Sequence, residues 1–270
     1  MRAALRRFLR RLSLAVTCIA GAVIAGLWLT PYDPAAADFL DRLSPPTAQH
    51  WAGTDHLGRD IATRLLHGGL WSLGLSLTIT AFGLVTGTLI GIIAAQSGRI
   101  GDFAIMRVTD SFFAFPELVA AVAVAGIFGP STVNLVIALM IVSWMKFTRL
   151  ARTLALTTSK QDFVTQARLN GLSQARILLV HILPNILPSI LVLGTNSWSR
   201  TILAISGLSF LGFGVQPPQS EWGAMLLDGK PYMQSAPHLM IFPGLTVLIS
   251  VLAINLAGDR LRDLLAPQSM

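Results

Sequence analysis

The stretch LWSLGLSLTITAFGLVTGTLIGIIAA, residues Leu70 to Ala95, contains no charged residue over a length that can cross a lipid bilayer. A helix rises 1.5 Å per residue, so such a stretch exceeds a hydrocarbon layer of about 30 Å. In lipid an open strand would leave its backbone polar groups unpaired, and the stretch is therefore predicted to be a membrane-spanning helix. The composition agrees, because only 12% of the 270 residues are charged, about half the usual fraction in soluble domains.

Further apolar segments predict an all-α, polytopic membrane protein with six transmembrane helices. The other predicted spans are Leu12–Thr30, Phe103–Phe128, Thr132–Met145 (extending to about Phe147), Asn185–Leu211 and Leu239–Leu256. The first also resembles a signal peptide, since it follows MRAALRRFLRR and precedes AAAD at Ala35–Asp38. Its apolar core, Leu12–Leu29, is longer than the usual 7–15 or so residues of a signal peptide, which favours a retained span.

The lysines and arginines predict that both termini are cytoplasmic. With the N-terminus inside, fourteen of these residues fall on inside segments and four on outside segments, a clear positive-inside bias. The chain then divides into a basic N-terminus with the first span (1–30), an outer segment (31–69) and a five-helix core (70–270) with an inner loop at 146–184. Because the basic residues lie beside apolar runs, the net charge of +7 does not indicate nucleic-acid binding.

The inner loop contains DFVTQARLNGLSQARILLVHILP, Asp162 to Pro184, whose polar residues interrupt any full span. Two short helices are predicted, with Gly171 at the break and Ser173 capping the second. Such a hairpin either lies on the bilayer as an amphipathic surface element or docks into the groove of a partner.

This loop resembles the EAA signature of permease subunits in bacterial ABC importers. In that signature E-A-A is followed after three residues by Gly, and after nine more by I-x-L-P. Ala167, Gly171, Leu183 and Pro184 match it, whereas Thr165, Gln166 and His181 depart from it. Three other stretches resemble the C-type permease of dipeptide, oligopeptide and nickel importers: GTDHLGRDIATRL (53–65), GLSFLGFGVQPPQSEWGAML (207–226) and NLAGDRLRDLLAPQ (255–268).

The resemblance implies a multi-pass protein of the bacterial inner membrane with the MetI-like architecture of type I ABC importers. The residues it assigns to an ATPase-coupling loop are Thr165, Gln166, Ala167, Arg168, Gly171, Leu183 and Pro184. The partners it implies are a second homologous permease subunit, two ATP-binding subunits and an external substrate-binding protein, all within membrane lipid. No cofactor is expected in this chain, since ATP and Mg would be held by the partner subunits.

The residues themselves agree that this chain is not the ATPase. The nearest approach to a phosphate-binding loop is GAMLLDGKP, residues 223–231. It has five residues between its glycines instead of four and ends in Pro231 instead of Ser or Thr. ATP hydrolysis is therefore expected elsewhere, and the chain is not predicted to be an enzyme.

An outer lip, on which the binding protein could rest, is predicted from the segment after the first span. Asp55/Arg59 and Asp60/Arg64 are i,i+4 pairs of favourable polarity and suit a short helix. The nearby histidines His50, His56 and His67 raise a metal site as an alternative. Their spacings of 6 and 11 residues do not place them on one helical face, so no metal site is predicted.

Candidates for the translocation pathway are Arg107, Asp110, Pro116 and Arg200. Arg107 and Asp110 are read as a structural i,i+3 pair near the inner interface, with a substrate contact as the alternative. Pro116 is expected to kink the third span, and a kink can act as a gate. Arg200 has no helical neighbour of opposite charge, and intramembrane charges often mark a pathway.

For the substrate, nickel or another transition metal, free or chelated, is favoured. Peptide-importing relatives commonly carry a glutamate just before LSFLG, and Ile205 stands in that place here. A dipeptide or oligopeptide importer is the alternative. An ion-coupled carrier using Asp110 or Glu117 is more distant, because no internal repeat of the kind common in such carriers is evident, and a noncatalytic scaffold or channel is the last possibility.

Overall fold

The computed structural model describes residues 32–265, and the regular structure within that range is helical apart from one isolated β-bridge. We number the α-helices of this range in chain order. They are α1 (Ile61–Gln96), α2 (Gly98–Phe113), α3 (Glu117–Phe128), α4 (Thr132–Ser143), α5 (Met145–Thr158), α6 (Asp162–Leu169), α7 (Gln174–Ile177), α8 (Leu183–Phe210), α9 (Trp222–Gly229) and α10 (His238–Leu265).

Five predicted spans correspond to apolar helical segments of this range. Four are long enough to cross a membrane alone, namely Ile61–Gln96, Thr132–Thr158, Gln174–Phe210 and His238–Leu265. The fifth is the pair α2 and α3, whose axes differ by 75°. The all-α, polytopic architecture is thereby confirmed, while the predicted first span, Leu12–Thr30, lies outside the described residues.

Several spans extend further than their apolar runs. The helix predicted at Leu70 begins at Ile61, because Asp60 caps it by accepting a hydrogen bond from the backbone N–H of Thr63. The fifth predicted span does not begin at Asn185, since α7 continues through a π-helical turn, Leu178–Ile182, directly into α8. The helix of the fourth span continues through Trp144 to Thr158. Residues 146–158, assigned from the sequence to the inner loop, are therefore helical.

Glycines let α1 pack closely against the end of α4 and against α5. Gly83, Gly87 and Gly91 face Ser143, Phe147 and Ala151 in turn, and a Cβ at any of them would overlap its neighbour. Small residues are common where membrane helices touch, because they let backbones approach. This seam lies beside an apolar cluster around the buried Phe147 and Ile190, which joins α5 to α8.

The bundle has two ends, which we name after the predicted orientation. The outer end holds residues 32–60 and 212–237, where Gly53 lies beside His238 and Gly68 beside Ser220. The inner end holds residues 96–98 and 159–177, which surround a small cavity of about 190 Å³. The candidate sites lie at these two ends and on the exposed face of α8 between them.

Candidate functional site

The predicted helix at the outer lip is instead a tight turn that begins at Asp55. The Asp55 carboxylate accepts hydrogen bonds from the backbone N–H groups of Leu57 (2.8 Å) and Arg59 (3.0 Å). Gly58 completes the turn with a φ of +79°, and a bridge between Thr54 and Asp60 closes it. The expected Asp55–Arg59 pair is present, with Arg59 Nε 2.7 Å from Asp55 Oδ2.

The other predicted pair of the lip, Asp60 with Arg64, is wrong. Asp60 caps α1 and faces His50, whose Nδ1 lies 2.9 Å from Asp60 Oδ1. Arg64 pairs with Asp55 at 3.5 Å and with Asp228 at 3.4 Å. All four lip residues are at least 90% buried, so this cluster joins the N-terminal segment to α9 and does not present a row of exposed charges.

Two of the three histidines near the lip, His50 and His56, contact other side chains. His50 contacts Asp60 as described, and the ring of His56 stacks on Tyr232 with centroids 5.8 Å apart. Within residues 32–265 no group of three or more His, Cys, Asp or Glu side chains is arranged to hold a metal ion.

The Arg107–Asp110 pair predicted on the third span is also wrong. Asp110 accepts a hydrogen bond of 2.6 Å from Arg149 on α5, and the guanidinium of Arg107 instead lies over the ring of Phe103, 4.9 Å from its centroid. Asp110 is therefore engaged in an ion pair with Arg149, which argues against Asp110 as the free proton site of an ion-coupled carrier. Pro116 has the predicted effect on the helix, since α2 ends at Phe113 and α3 starts directly after this proline.

The exposed face of α8 is more polar than a lipid-facing surface. Its exposed residues recur at helical spacing and are Ser189, Asn196, Arg200, Leu203 and Gly207. Ser189 and Asn196 also line an open cleft of about 700 Å³ between α8 and α10, together with Asn255, Asp259 and Arg262. A charged or amide side chain is costly against hydrocarbon and usually faces water or another protein surface. We call this row of five residues the α8 stripe.

The sequence reasoning misplaced one charged residue of the fourth span. Lys146 was assigned to the inner loop, although it lies in the first turn of α5 within the fourth span. Glu117, named above as a proton site for the alternative of an ion-coupled carrier, is the first residue of α3 and is half-buried. The sequence did contain a signal for the position of Lys146. The predicted fourth span extends to about Phe147, so Lys146 already lies within its predicted helix.

The inner loop forms the two helices predicted, with Ser173 capping α7 and Gly171 at the break with a φ of +75°. Only Val164 and Ala167 of α6 are buried against the bundle. Phe163, Thr165, Gln166, Arg168 and Leu169 are exposed, with Leu169 at 82%. Leu183 and Pro184 are half-buried in the helix that continues from α7. One side of α6 is thus anchored, and the other side is available to a partner.

A family description, "Binding-protein-dependent transport system inner membrane component", matches residues 87–269, which include this loop. The chain belongs to this family. It is an inner membrane permease subunit of an ABC importer, as the sequence predicted, and not an enzyme.

The curated relatives of this permease are named after different transported solutes. It is 43% identical to the di/tripeptide transport system permease protein of Pseudomonas aeruginosa, over 89% of this chain and 82% of that protein. It is 39% identical to the nickel transport system permease protein of Escherichia coli, over 95% of this chain and 93% of that protein. The glutathione transport system permease protein of Pectobacterium atrosepticum is also 39% identical, over 97% of this chain and 89% of that protein.

A solved structure supports the fold of the permease. An inward-facing structure of the MetNI methionine ABC transporter superposes with a TM-score of 0.57, covering 73% of this chain and 94% of that one. The sequences are only 19% identical, so the likeness concerns the fold. The expected MetI-like architecture is confirmed.

Proposed function

We propose that this permease forms one half of a translocation pathway and receives mechanical force from an ATP-binding subunit through α6. The ATPase-coupling residues are Thr165, Gln166, Ala167, Arg168, Gly171, Leu183 and Pro184. The observation that carries the proposal is the division of α6 into an anchored side, Val164 and Ala167, and an exposed side that includes Leu169. An apolar side chain exposed on a short helix outside the core is typical of helix-in-groove docking.

The connection from α6 to the bundle is suited to carrying movement. Val164 and Ala167 pack in the same apolar cluster as Phe147 of α5 and Ile186 of α8. A displacement of α6 would therefore act on two spans at once. Because packed apolar groups resist compression, the displacement would tilt those helices and would not be absorbed locally.

The cytosolic docking can be tested with two leucines at opposite ends of the bundle. Leu169 is 82% exposed on α6, and Leu40 is 96% exposed in the outer segment. Leu169→Asp should reduce co-purification of the ATP-binding subunit about tenfold or more, since a charge would be buried in the interface. Leu40→Asp should leave it unchanged. Membrane insertion and yield should be equal for both variants.

A second variant addresses the turn after α6. A Cβ added at Gly171 would meet no atom within 4 Å, but the residue has a φ of +75°, which bulky residues adopt only under strain. Gly171→Trp should insert normally and transport poorly. If Leu169→Asp and Gly171→Trp both kept full ATP-driven transport, the docking proposal would be overturned.

At the outer end we propose that the surface above the lip cluster receives a substrate-binding protein. Asp55, Arg59, Asp60 and Arg64 are buried, so their role here is to hold the lip in shape. The exposed Phe39 and Trp51, at 66% and 70%, supply apolar area beside that cluster. The complete importer would hold a second homologous permease, two ATP-binding subunits and one binding protein.

The pathway is proposed to run along the α8 stripe, where Arg200 is exposed on a helix long and apolar enough to cross a membrane. Pro116 marks the bend of the third span, and this bend is a candidate gate. Arg107 lies over Phe103, and Asp110 pairs with Arg149, which leaves both with structural roles. Arg200 is therefore the residue of the predicted set that we assign to the pathway.

We propose that the cargo is nickel or another transition metal, free or chelated, with a dipeptide or oligopeptide as the alternative. The absence of a glutamate at position 205 supports the nickel proposal less than the sequence suggested, because Ile205 is completely buried among Ile79, Leu139 and Leu208. A side chain there would not reach the pathway. The 43% identity to a di/tripeptide permease supports peptide cargo as the second candidate. Uptake of radiolabelled nickel and of radiolabelled Ala-Ala, in a strain lacking this permease and after its return, discriminates between the two.

A further inference from the structure

The turn that joins α1 to α2 lies beside α6 and α7 at the inner end of the bundle. We call residues 97–101 the inner turn. Its Gly98 lines the same cavity of about 190 Å³ as Arg168 and Gln174, which belong to the segment formed by α6 and α7. The last part of α1 also packs in the apolar cluster that anchors α6, through the buried Ile92. The inner turn and α6 are therefore neighbouring parts of one surface.

Each of these two neighbours exposes a large aliphatic side chain. Ile100 of the inner turn is 85% exposed, and Leu169 at the end of α6 has nearly the same exposure. Ile100 is two residues from Gly98 and Leu169 directly follows Arg168, and both of those residues line the cavity. The two aliphatic side chains thus border one opening. Removing both from water would favour association with a partner that covers this opening.

The inner turn is placed beyond the hydrocarbon layer by the length of α1. Counted from Leu70, where the uncharged run begins, about 20 residues of helix cross a layer of about 30 Å. The inner turn begins 27 residues after Leu70 and contains the exposed Ser97 and Arg99. Its surroundings are therefore the aqueous side of the membrane, where a soluble subunit can reach it.

The charge of this surface defines the chemistry of the partner. The inner turn and the segment 159–177 carry four exposed cations, Arg99, Lys160, Arg168 and Arg176, and one exposed acid, Asp162. Interfaces between proteins usually join potentials of opposite sign. The complementary partner surface is therefore acidic around an apolar recess.

We propose that the inner turn is a second contact for the ATP-binding subunit, continuous with the docking surface of α6. Ile100 enters an apolar recess of that subunit, and Arg99 faces acidic side chains at the edge of the recess. This inference rests on the proposed function, since it extends the docking surface from α6 to the start of α2.

A contact at Ile100 would carry movement to a part of the bundle that α6 does not reach directly. The helix that begins in the inner turn, α2, is held to α5 by the ion pairs Arg149–Asp110 and Arg152–Asp102. A displacement at Ile100 would therefore move α2 together with α5. Because α2 is the inner arm of the bent third span, the ATP-binding subunit would act on the bend as well as on the spans joined to α6.

Photo-crosslinking in membrane vesicles tests the contact. A benzophenone amino acid is placed in turn at Ile100, Leu169 and Val108 of the complete importer, whose ATP-binding subunit carries an affinity tag. Val108 is the matched control, because it is exposed on α2 and lies eight residues beyond Ile100, or about 12 Å along the helix. We expect the tagged subunit to be cross-linked from positions 100 and 169 and not from position 108.

The outcomes separate this contact from the proposed function. Cross-linking from Leu169 alone, with the probe at Ile100 attached to phospholipid, would overturn the second contact and leave docking through α6 intact. Equal cross-linking from Val108 would also overturn it, since the contact would not be specific to the inner turn. Absence of a cross-link from Leu169 would instead refute the proposed docking through α6.

Charge reversal at Arg99 tests the acidic character of the partner surface. Arg99→Glu should weaken the binding of the ATP-binding subunit to the permease in nanodiscs about tenfold at low salt, and the difference should shrink at high salt. Arg99→Lys, which keeps the charge, should bind as the wild type does. Lys230→Glu reverses an exposed charge at the outer end and should leave binding unchanged. Equal affinities of Arg99→Glu and Lys230→Glu at low salt would overturn the acidic partner surface.

Discussion

Arg149 donates a hydrogen bond of 2.6 Å from its Nη2 to Oδ1 of Asp110, joining the fourth span to the bent third span. One turn nearer the inner end, Arg152 donates two hydrogen bonds to Asp102 in the same manner. The inner arm of the bend, α2, is therefore held to α5 by charges. The outer arm, α3, packs on its neighbours through Ala121 in an apolar cluster. The two arms of the bend thus differ in the chemistry that holds them.

The two ion pairs on α2 should contribute unequally to stability. The side chains of Arg149 and Asp110 are 40% and 45% exposed, against 28% and 22% for Arg152 and Asp102. Exposed pairs are worth about 0.2–1 kcal/mol, so the Arg152–Asp102 pair is expected to exceed the other. Double-mutant cycles with alanine, read as thermal midpoints of the purified permease, measure both coupling energies. A larger coupling for Arg149–Asp110 would contradict the expectation.

The glycine seam of α1 should tolerate no added methyl group. A Cβ at Gly87 would lie 2.7 Å from Cβ of Phe147 and would also overlap the carbonyl oxygen of Trp144. Gly87→Ala is expected to destabilise the permease by about 1–3 kcal/mol through overpacking. Gly74→Ala on the same helix is the matched control, because a Cβ there meets no atom within 4 Å. Thermal aggregation followed by size-exclusion chromatography should show a lower midpoint for Gly87→Ala alone. Equal midpoints would mean that α1 and α5 can separate at little cost.

The sequence predicted those features of the fold that depend on local composition. The uncharged run at Leu70–Ala95 identified a span, and Gly171 with Ser173 correctly placed the break and the cap of the inner hairpin. Helix ends were less predictable. Charged residues interrupt the sequence before Leu70, yet the helix begins nine positions earlier at Ile61, where Asp60 caps it. Hydrophobicity therefore locates the part of a helix in lipid and leaves out the turns beyond it.

The charged sites were harder to predict, because their partners lie far apart in the chain. Spacing alone suggested an ion pair between Arg107 and Asp110. The observed partner of Asp110 is Arg149, which is 39 residues away in the sequence. Arg64 likewise reaches Asp228, 164 residues along the chain. Position 205 shows the same limit, since only the packing of α8 reveals that Ile205 is buried. Tertiary placement decides which charges pair and which remain open to a solute.

Glu221 should be important for the connection between α1 and α9. It is completely buried, caps α9 by accepting from the N–H of Ala224 at 3.0 Å, and accepts from Ser72 Oγ at 3.0 Å. Glu221→Ala removes a cap and leaves buried donors unpaired, with an expected loss of about 1–3 kcal/mol. Asp38→Ala removes a cap from an exposed turn and should lower the thermal midpoint much less. A midpoint for Glu221→Ala within error of that control would show that Ser72 and Ala224 find other partners.

Asp55 should be the most sensitive acid of the outer segment. It pairs with Arg59 at 2.7 Å and lies 3.5 Å from Arg64, and the two arginine side chains are only 7% and 3% exposed. In Asp55→Ala, the carboxylate of Asp228 would be the single remaining partner of both arginines. Because breaking a buried ion pair costs about 3–5 kcal/mol of folding stability, we expect a loss of this size. Asp33→Ala is the matched control, because Asp33 is exposed and accepts one local hydrogen bond from the N–H of Ala35. Thermal midpoints at low and high salt should show a large loss for Asp55→Ala that hardly depends on salt, since buried pairs are weakly screened. A small loss that disappears at high salt would mean that water already reaches the two arginines in the folded permease.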